Sequence, residues 1–231
     1  MGYKQKNNTA ILVFANSSQV DEKQKALPKS RELFDALTAQ TLKKVRKTEL
    51  PYFHISESEQ HGSSFGERFS NAIKKVFSEG YSQIITIGND TPQLSVKHLL
   101  KTEKQLDANN FVLGPSTDGG FYLMGITKSQ FETINFSKLS WQTSALFNQL
   151  YTQMTQSDTS ILCLERLNDI DSTFDIKLLL HISVGISSAL RNILLGLYSL
   201  PKRRFKVHSI CYSSFYSITY YNKGSPIVLH N

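Results

Sequence analysis

The apolar residues of this chain fall into two alternating patterns. Short continuous runs recur, and between them apolar positions return at three- and four-residue spacing. Ala10, Ile11, Leu12, Val13, Phe14 and Ala15 form the first run. A run of that length without a polar break suits a strand buried on both faces. Similar runs at 52–55, 84–87, 111–113, 121–125 and 160–164 predict further strands. Leu33, Phe34, Leu37, Leu42 and Val45 predict a helix over 31–45. Phe69, Ala72, Ile73, Val76 and Phe77 predict another over 68–78, ended by Gly80. Two more are predicted over 95–106 and 144–154. The polar, charged segment 16–30 reads as a long loop, and 61–67 as a shorter one containing glycine. Strands and helices alternating in this way argue for a doubly wound, mainly parallel α/β sheet.

A last helical region runs from 173 to about 200, with a break expected near Gly185. His181, Ser183, Ser187, Ser188, Arg191 and Asn192 interrupt its apolar run, so a packed helix is expected and no transmembrane segment. Pro201 and the cluster Lys202, Arg203 and Arg204 mark a boundary. The expected organisation is one domain over 1–180, then a C-terminal helical extension with a basic, Ser/Tyr-rich tail over 181–231. The tail's aromatic residues leave room for docking on a neighbouring subunit as a homo-oligomer.

Charge changes the picture only at that end. The formal net charge is +7, but no Asp or Glu follows Asp175. Setting aside the seven basic residues beyond it leaves 19 basic against 19 acidic residues in 1–176. A nucleic-acid-binding role for the main domain is therefore not expected. Cys163 and Cys211 have no metal-ligand spacing and no disulfide framework, and read as two small buried residues in a reducing compartment. The first nine residues lack the apolar core of a signal peptide, so a cytoplasmic site is expected.

Candidate chemistry gathers where strands should end. Asp90 follows a buried run and Gly88, with Pro92 stiffening the turn behind it. Its carboxylate could hold a cation or phosphate site, or cap the next helix. Asp118-Gly119-Gly120 is a turn signature in itself, set between Gly114-Pro115 and an aromatic strand. Asp169 and Asp171 alternate onto one face of an extended segment, which suits a cation. Ser172 with Asp175 also resembles a helix capping box. Gly62, Gly66 and Arg68 belong to a loop entering a helix, where backbone N–H groups can hold an anion. Trp141 offers an aromatic platform, or simply a core residue. None of the six histidines has a partner close in sequence, which gives no basis for a zinc site or a triad. Ligands of open α/β sheets bind at the carboxyl ends of the strands, and Mg²⁺ there takes one or two carboxylates plus substrate phosphates. The pattern points to metal-assisted chemistry on a phosphorylated substrate.

Taken in order, these motifs resemble the bacterial DUF2064 proteins, glycosyltransferase-A-like relatives of nucleotide-diphospho-sugar transferases. The residues carrying the resemblance are Leu12-Val13-Phe14-Ala15, Phe65-Gly66-Glu67-Arg68-Phe69, Gly88-Asn89-Asp90-Thr91-Pro92, Trp141-Gln142-Thr143 and Asp169-Ile170-Asp171-Ser172. The longest is Gly114-Pro115-Ser116-Thr117-Asp118-Gly119-Gly120-Phe121-Tyr122-Leu123-Met124-Gly125. The resemblance implies a Rossmann-like, three-layer α/β/α fold with a nucleotide or nucleotide-sugar over the strand ends. It implies Mg²⁺ or Mn²⁺ at Asp90, with Asp169 and Asp171 completing the metal site. Ala15, Asn16, Gly62, Gly66, Arg68 and Asn89 would then hold the nucleotide. Asp118 and Asp171 would be the catalytic carboxylates, with Gly119, Gly120 and Trp141 on the side of a small-molecule acceptor. The family's first loop usually carries a Lys-Thr-Arg-Leu element; residues 17–30 offer only the scattered Lys23, Lys25 and Lys29. The expected activity is metal-dependent transfer from a nucleotide-activated donor, glycosyl transfer ahead of nucleotidyl transfer. The alternative is a degenerate member that binds a nucleotide or a partner without turnover.

Overall fold

In the computed structural model, the described residues are 8–198 apart from 26, 28, 158 and 183–185. Six strands form one sheet in the order β2-β1-β3-β5-β4-β6. They are β1 (Thr9–Phe14), β2 (Tyr52–Ile55), β3 (Gln83–Ile87), β4 (Phe111–Pro115), β5 (Phe121–Thr127) and β6 (Ile161–Cys163). The helices are α1 (Ser18–Gln24), α2 (Arg31–Arg46), α3 (Phe65–Ser78), α4 (Val96–Asp107), α5 (Lys128–Thr133), α6 (Leu146–Gln156), α7 (Thr173–Ile182) and α8 (Ser188–Tyr198). β1 pairs parallel with β2 and β3, and β4 pairs parallel with β6. β5 runs antiparallel to both its neighbours, β3 and β4. Its amino end therefore lies beside the carboxyl ends of β3 and β4, and the Gly119-Gly120 turn is delivered to the same edge as Asp90.

The two-residue period of a strand explains the layers. Ala10, Leu12 and Phe14 join Ile84, Leu113 and Met124 in a core with Phe69, Ile73 and Phe77 of α3 and Leu150 of α6. Ile11, Val13 and Ala15 face the other way, with Ile85, Ile87 and Val112, against Val45 of α2 and Leu99 and Leu106 of α4. The result is a three-layer α/β/α sandwich with a mainly parallel sheet. Both faces are covered, which is why the strand sequences read as unbroken apolar runs.

Helix starts follow from local chemistry. Ser64 accepts a hydrogen bond from Glu67 N and opens α3 at Phe65, three residues before the start predicted from the sequence at 68. Ser95 and His98 form a reciprocal capping box on α4, and Thr127 and Gln130 do the same on α5. The predicted loop 16–30 instead contains α1. Its sequence, Ser-Gln-Val-Asp-Glu-Lys-Gln, has no apolar stripe. The turn is anchored from outside: the Ser17 N–H and hydroxyl both donate to the Glu57 carboxylate, each at 2.6 Å. Cys163 is exposed rather than buried, because it ends β6 on the sheet's edge with β4 as its only paired neighbour among the described strands. Cys211 lies outside the described residues.

A third cluster joins Leu33, Phe34 and Leu37 of α2 to Ile176 and Leu179 of α7 and Leu190 and Leu194 of α8. α8 thus packs on the main body although it lies beyond residue 180. The expected break near Gly185 falls outside the described residues, as do 199–231. We propose that the boundary between body and tail lies at the end of α8. Truncation after Leu200 keeps every residue of this cluster and is expected to leave cooperative thermal unfolding unchanged. Aggregation, or loss of a sharp transition, would show that the tail completes the core. Among the described residues, no helix is long and apolar enough to cross a membrane.

Candidate functional site

The carboxyl ends of β1 and β3 and the turn into β5 open onto a cleft of about 530 Å³. Asp90, Asp118 and Asp171 all line it, as do Ala15, Asn16 and Asn89. Arg68, Gly120 and Trp141 form part of the same wall, while Gly62, Gly66, Gly119 and Asp169 do not reach it.

Asp90 stands three residues beyond the end of β3, after Gly88 and Asn89. The cap of α4 is Ser95, so the carboxylate of Asp90 is not spent on the helix. Ile170 N donates to Asp90 O at 3.0 Å, and Asn168 N to Gln93 Oε1 at 3.2 Å. These bonds tie the loop after β3 to the segment after β6 and bring Asp171 beside Asp90. Asp169 is buried behind them and accepts from the Thr91 hydroxyl. The expectation that Asp169 and Asp171 share one face does not hold: the segment is a loop rather than a regular strand, Asp169 turns inward to Thr91, and Asp171 lines the cleft. Ser172 and Asp175 do form the capping pair: Asp175 Oδ2 accepts from Ser172 N at 2.8 Å and Ser172 Oγ at 2.7 Å. Capping by Ser172 and cleft lining by Asp171 coexist because different side chains do each.

The residue that pattern and spacing did not single out is Lys25. Its Nζ lies 2.9 Å from Asp90 Oδ2, 2.9 Å from Asp171 Oδ1 and 2.9 Å from the carbonyl oxygen of Ile170. It stands over the Phe34 ring, 5.1 Å from the centroid. Burial alone would push the Lys25 pKa down. The carboxylates of Asp90, Asp171 and Asp21 outweigh it and hold the group above the ordinary lysine range. Asp21 is itself 4% exposed. Burial raises its pKa, opposed by Lys25 and a hydrogen bond from Asn16. One of its carboxylate oxygens, Oδ2, has no hydrogen-bond partner among the described residues.

Asp118 is engaged within its own turn. Its Oδ1 accepts from the Ser116 hydroxyl and, at 2.9 Å, from Gly120 N. Gly119 has φ +88°, and a Cβ there would lie 2.4 Å from the Ser144 carbonyl oxygen, so the turn tolerates only glycine. Gly66 is buried under Trp141: a Cβ would come 2.4 Å from the indole nitrogen. Its role is close packing of α3 rather than a surface for a ligand. Trp141 donates to Phe136 O at 2.6 Å and packs on Phe65 and Phe69, with ring centroids 4.9 and 5.1 Å away. The ring is both packed into the core and part of the cleft wall. Asn89 is held by its amide on the Thr38 hydroxyl at 2.9 Å, and the Arg68 guanidinium lies 6.0 Å from the centroid of the Phe65 ring.

The charged residues of the wall are Asp21, Glu57, Asp90, Asp118 and Asp171 against Lys25 and Arg68. That excess of carboxylates repels a polyphosphate unless a cation enters with it. The donor set fits such a cation. Two carboxylate oxygens and a carbonyl already surround one cationic nitrogen, and hard oxygen donors suit Mg²⁺ or Mn²⁺. Among the described residues, no group of three or more His, Cys, Asp or Glu side chains could hold a metal ion. A metal here would draw its remaining ligands from substrate phosphate and water.

Behind the site, Lys44 Nζ donates to Pro92 O at 2.7 Å. Burial lowers its pKa from 10.5 to about 8. Below about pH 8 both folded and unfolded chains carry this proton, and the folded state bears the full cost of a desolvated charge. Between about pH 8 and about pH 10 the unfolded chain keeps the proton and the folded chain releases it, so stability rises with pH. Urea unfolding at intervals across that window is expected to show the rise in the native protein and not in Lys44→Met. Identical slopes would refute the assignment.

No curated protein matches the chain in sequence. Its fold is shared by a crystal structure from Desulfovibrio desulfuricans G20, of a protein provisionally named a nucleotide-diphospho-sugar transferase. That structure is 21% identical over 83% of this chain and 97% of the other, with a TM-score of 0.73. Looser overlaps include a cytidylyltransferase from Leptospira borgpetersenii serovar Hardjo-bovis, 14% identical over 82% and 93% of the two chains, with a TM-score of 0.45. A manganese complex of Rv0371C from Mycobacterium tuberculosis H37Rv is 14% identical over 75% and 97%, with a TM-score of 0.41. These two are too distant to bear on the chemistry of this chain. The family described as "Uncharacterized protein conserved in bacteria (DUF2064)" matches residues 9–143. That span holds the first strand, the Asp90 loop and the Asp118 turn and exceeds half the chain, and the protein belongs to the DUF2064 family.

Proposed function

We propose that this protein is a metal-dependent transferase using a nucleotide-activated donor, with glycosyl transfer to a small-molecule acceptor as the favoured reaction. The observation that carries this reading is the convergence of Asp90 and Asp171 on one cation position at the strand ends. Sharing a fold with the protein named for nucleotide-diphospho-sugar transfer agrees with it. Asp90 and Asp171 would hold Mg²⁺ or Mn²⁺, with Asp169 bracing the loop from behind through Thr91. When bound, the cation supplies positive charge to the leaving phosphate. Ala15, Asn16 and Asn89 would flank the nucleotide, and Arg68 at the rim would meet a phosphate oxygen. Trp141 presents an apolar ring on which a sugar or a small acceptor can lie. Asp118 would accept the acceptor's proton, while the Ser116 and Gly120 hydrogen bonds fix its orientation.

A second reading, a nucleotide-binding protein without turnover, is favoured by two features. Lys25 fills the cation position, and Asp118 is drawn into its own turn. Thermal shift across a panel of nucleotides and nucleotide-sugars, with and without Mn²⁺, separates the readings. Transfer predicts stabilisation by one donor that depends on Mn²⁺. Release of nucleoside diphosphate then identifies glycosyl transfer, and release of pyrophosphate identifies nucleotidyl transfer. Stabilisation that ignores the metal, with no product, supports binding alone, and no stabilisation by any member of the panel refutes both.

A further inference from the structure

We propose that the Lys25 side chain is a built-in occupant of the cation position. A divalent ion and the Lys25 ammonium exclude each other between Asp90 and Asp171, and donor phosphate draws the ammonium off. This rests on the reading of Asp90 and Asp171 as the metal-holding pair.

The geometry is that of a filled seat. An ammonium has three hydrogens to donate. Lys25 has three acceptors at 2.9 Å: Asp90 Oδ2, Asp171 Oδ1 and Ile170 O. No donor remains for a phosphate while those bonds hold. The side chain is only 13% exposed, and the Phe34 ring closes one side. Mg²⁺ needs its oxygens at about 2.0–2.1 Å, so a metal cannot share the position with a nitrogen already in contact with the same oxygens. Two cations at that separation also repel each other strongly in a partly buried site. Lys25 must therefore swing away before a metal can bind.

The seat itself does not depend on Lys25. The Ile170 N to Asp90 O bond holds the two carboxylate-bearing segments together through the backbone. Lys25 follows the last turn of α1, where its N–H donates to Asp21 O at 2.9 Å. Its flexible stem can swing while that anchor stays. The buried Asp21 carboxylate lines the same cleft and keeps one oxygen without a hydrogen-bond partner among the described residues. An acceptor is thus already in the wall for a displaced ammonium, alongside the phosphate that displaces it. The arrangement makes metal binding conditional on phosphate, which keeps the acidic cleft from binding divalent ions before the donor arrives.

The test is direct Mn²⁺ binding to the full chain, read by electron paramagnetic resonance of free Mn²⁺, with and without pyrophosphate as probe. The Asp90→Ala protein serves as the blank for Mn²⁺–pyrophosphate formed in solution. Native protein is expected to bind Mn²⁺ at least tenfold more tightly when pyrophosphate is present. Lys25→Met is expected to bind Mn²⁺ alone at least tenfold more tightly than native, and to lose that gain when Asp90→Ala is added. Equal Mn²⁺ affinities for native and Lys25→Met, with both still bound in the presence of pyrophosphate, overturn the exclusion and leave the proposed function standing. Absence of Mn²⁺ binding in every form overturns both. If Lys25→Met does not fold, the native titration still decides, because tight Mn²⁺ binding without pyrophosphate refutes the proposal.

Discussion

Asp90→Ala is expected to abolish Mn²⁺-dependent stabilisation by the donor nucleotide while leaving a folded protein. The substitution removes one of the two carboxylates at the cation position, and with it half of the protein charge that would hold the ion against a phosphate. A ligand at a hundred times its dissociation constant adds about 2.7 kcal/mol to stability. For a chain of this size that is a shift of about 5–10 °C in Tm, and the variant should lose nearly all of it. The cost to the unliganded fold is smaller, about 1–3 kcal/mol, because Lys25 keeps its bond to Asp171 and the α4 cap does not involve Asp90. Asp90→Asn, which keeps the shape and loses the charge, separates ligation from packing. A variant with a native Mn²⁺-nucleotide shift would remove Asp90 from the site.

Phe34→Ala is expected to have the largest effect on stability, a loss of about 3–5 kcal/mol. Phe34 is fully buried where α2 meets α7 and α8. Its ring touches a cluster formed by segments far apart in sequence, so little of the cavity can collapse. At about 2–4 °C per kcal/mol, the melting temperature should fall by roughly 6–20 °C. Chemical denaturation would check this, since the midpoint should drop with the slope unchanged. A loss below about 1 kcal/mol would mean that the α7 and α8 layer does not unfold together with the sheet.

Much of the architecture was legible in local pattern. The apolar runs located the strands within a residue or two, because strands covered on both faces leave no room for polar residues. Ser95 and Ser64 could be read as helix starts only in part. The cap at Ser64 opened α3 at Phe65, three residues before the predicted start at 68, since a hydrogen bond sets that boundary. α1 was not legible at all. Its stability comes from Glu57 holding Ser17, a contact across 40 residues, and its own face carries almost nothing apolar. Cys163 misled for a related reason: composition favours burial, but an edge strand has one paired side.

By itself the sequence determined which residues could carry chemistry and where along the chain they sit. Asp90, Asp118 and Asp171 each stand at a turn after an apolar run, and strand ends in such a sheet share an edge. Only the tertiary structure decided their roles relative to one another. It closed Asp118 into its turn, buried Asp169 against Thr91 and left Asp171 in the cleft. It also set Lys25 between carboxylates, on partners 65 and 145 residues away. Local spacing encodes periodicity and caps, which act over a few residues. It does not encode which lysine of a charged loop will meet a carboxylate, because that pairing depends on sheet order and on the backbone bonds between the loops.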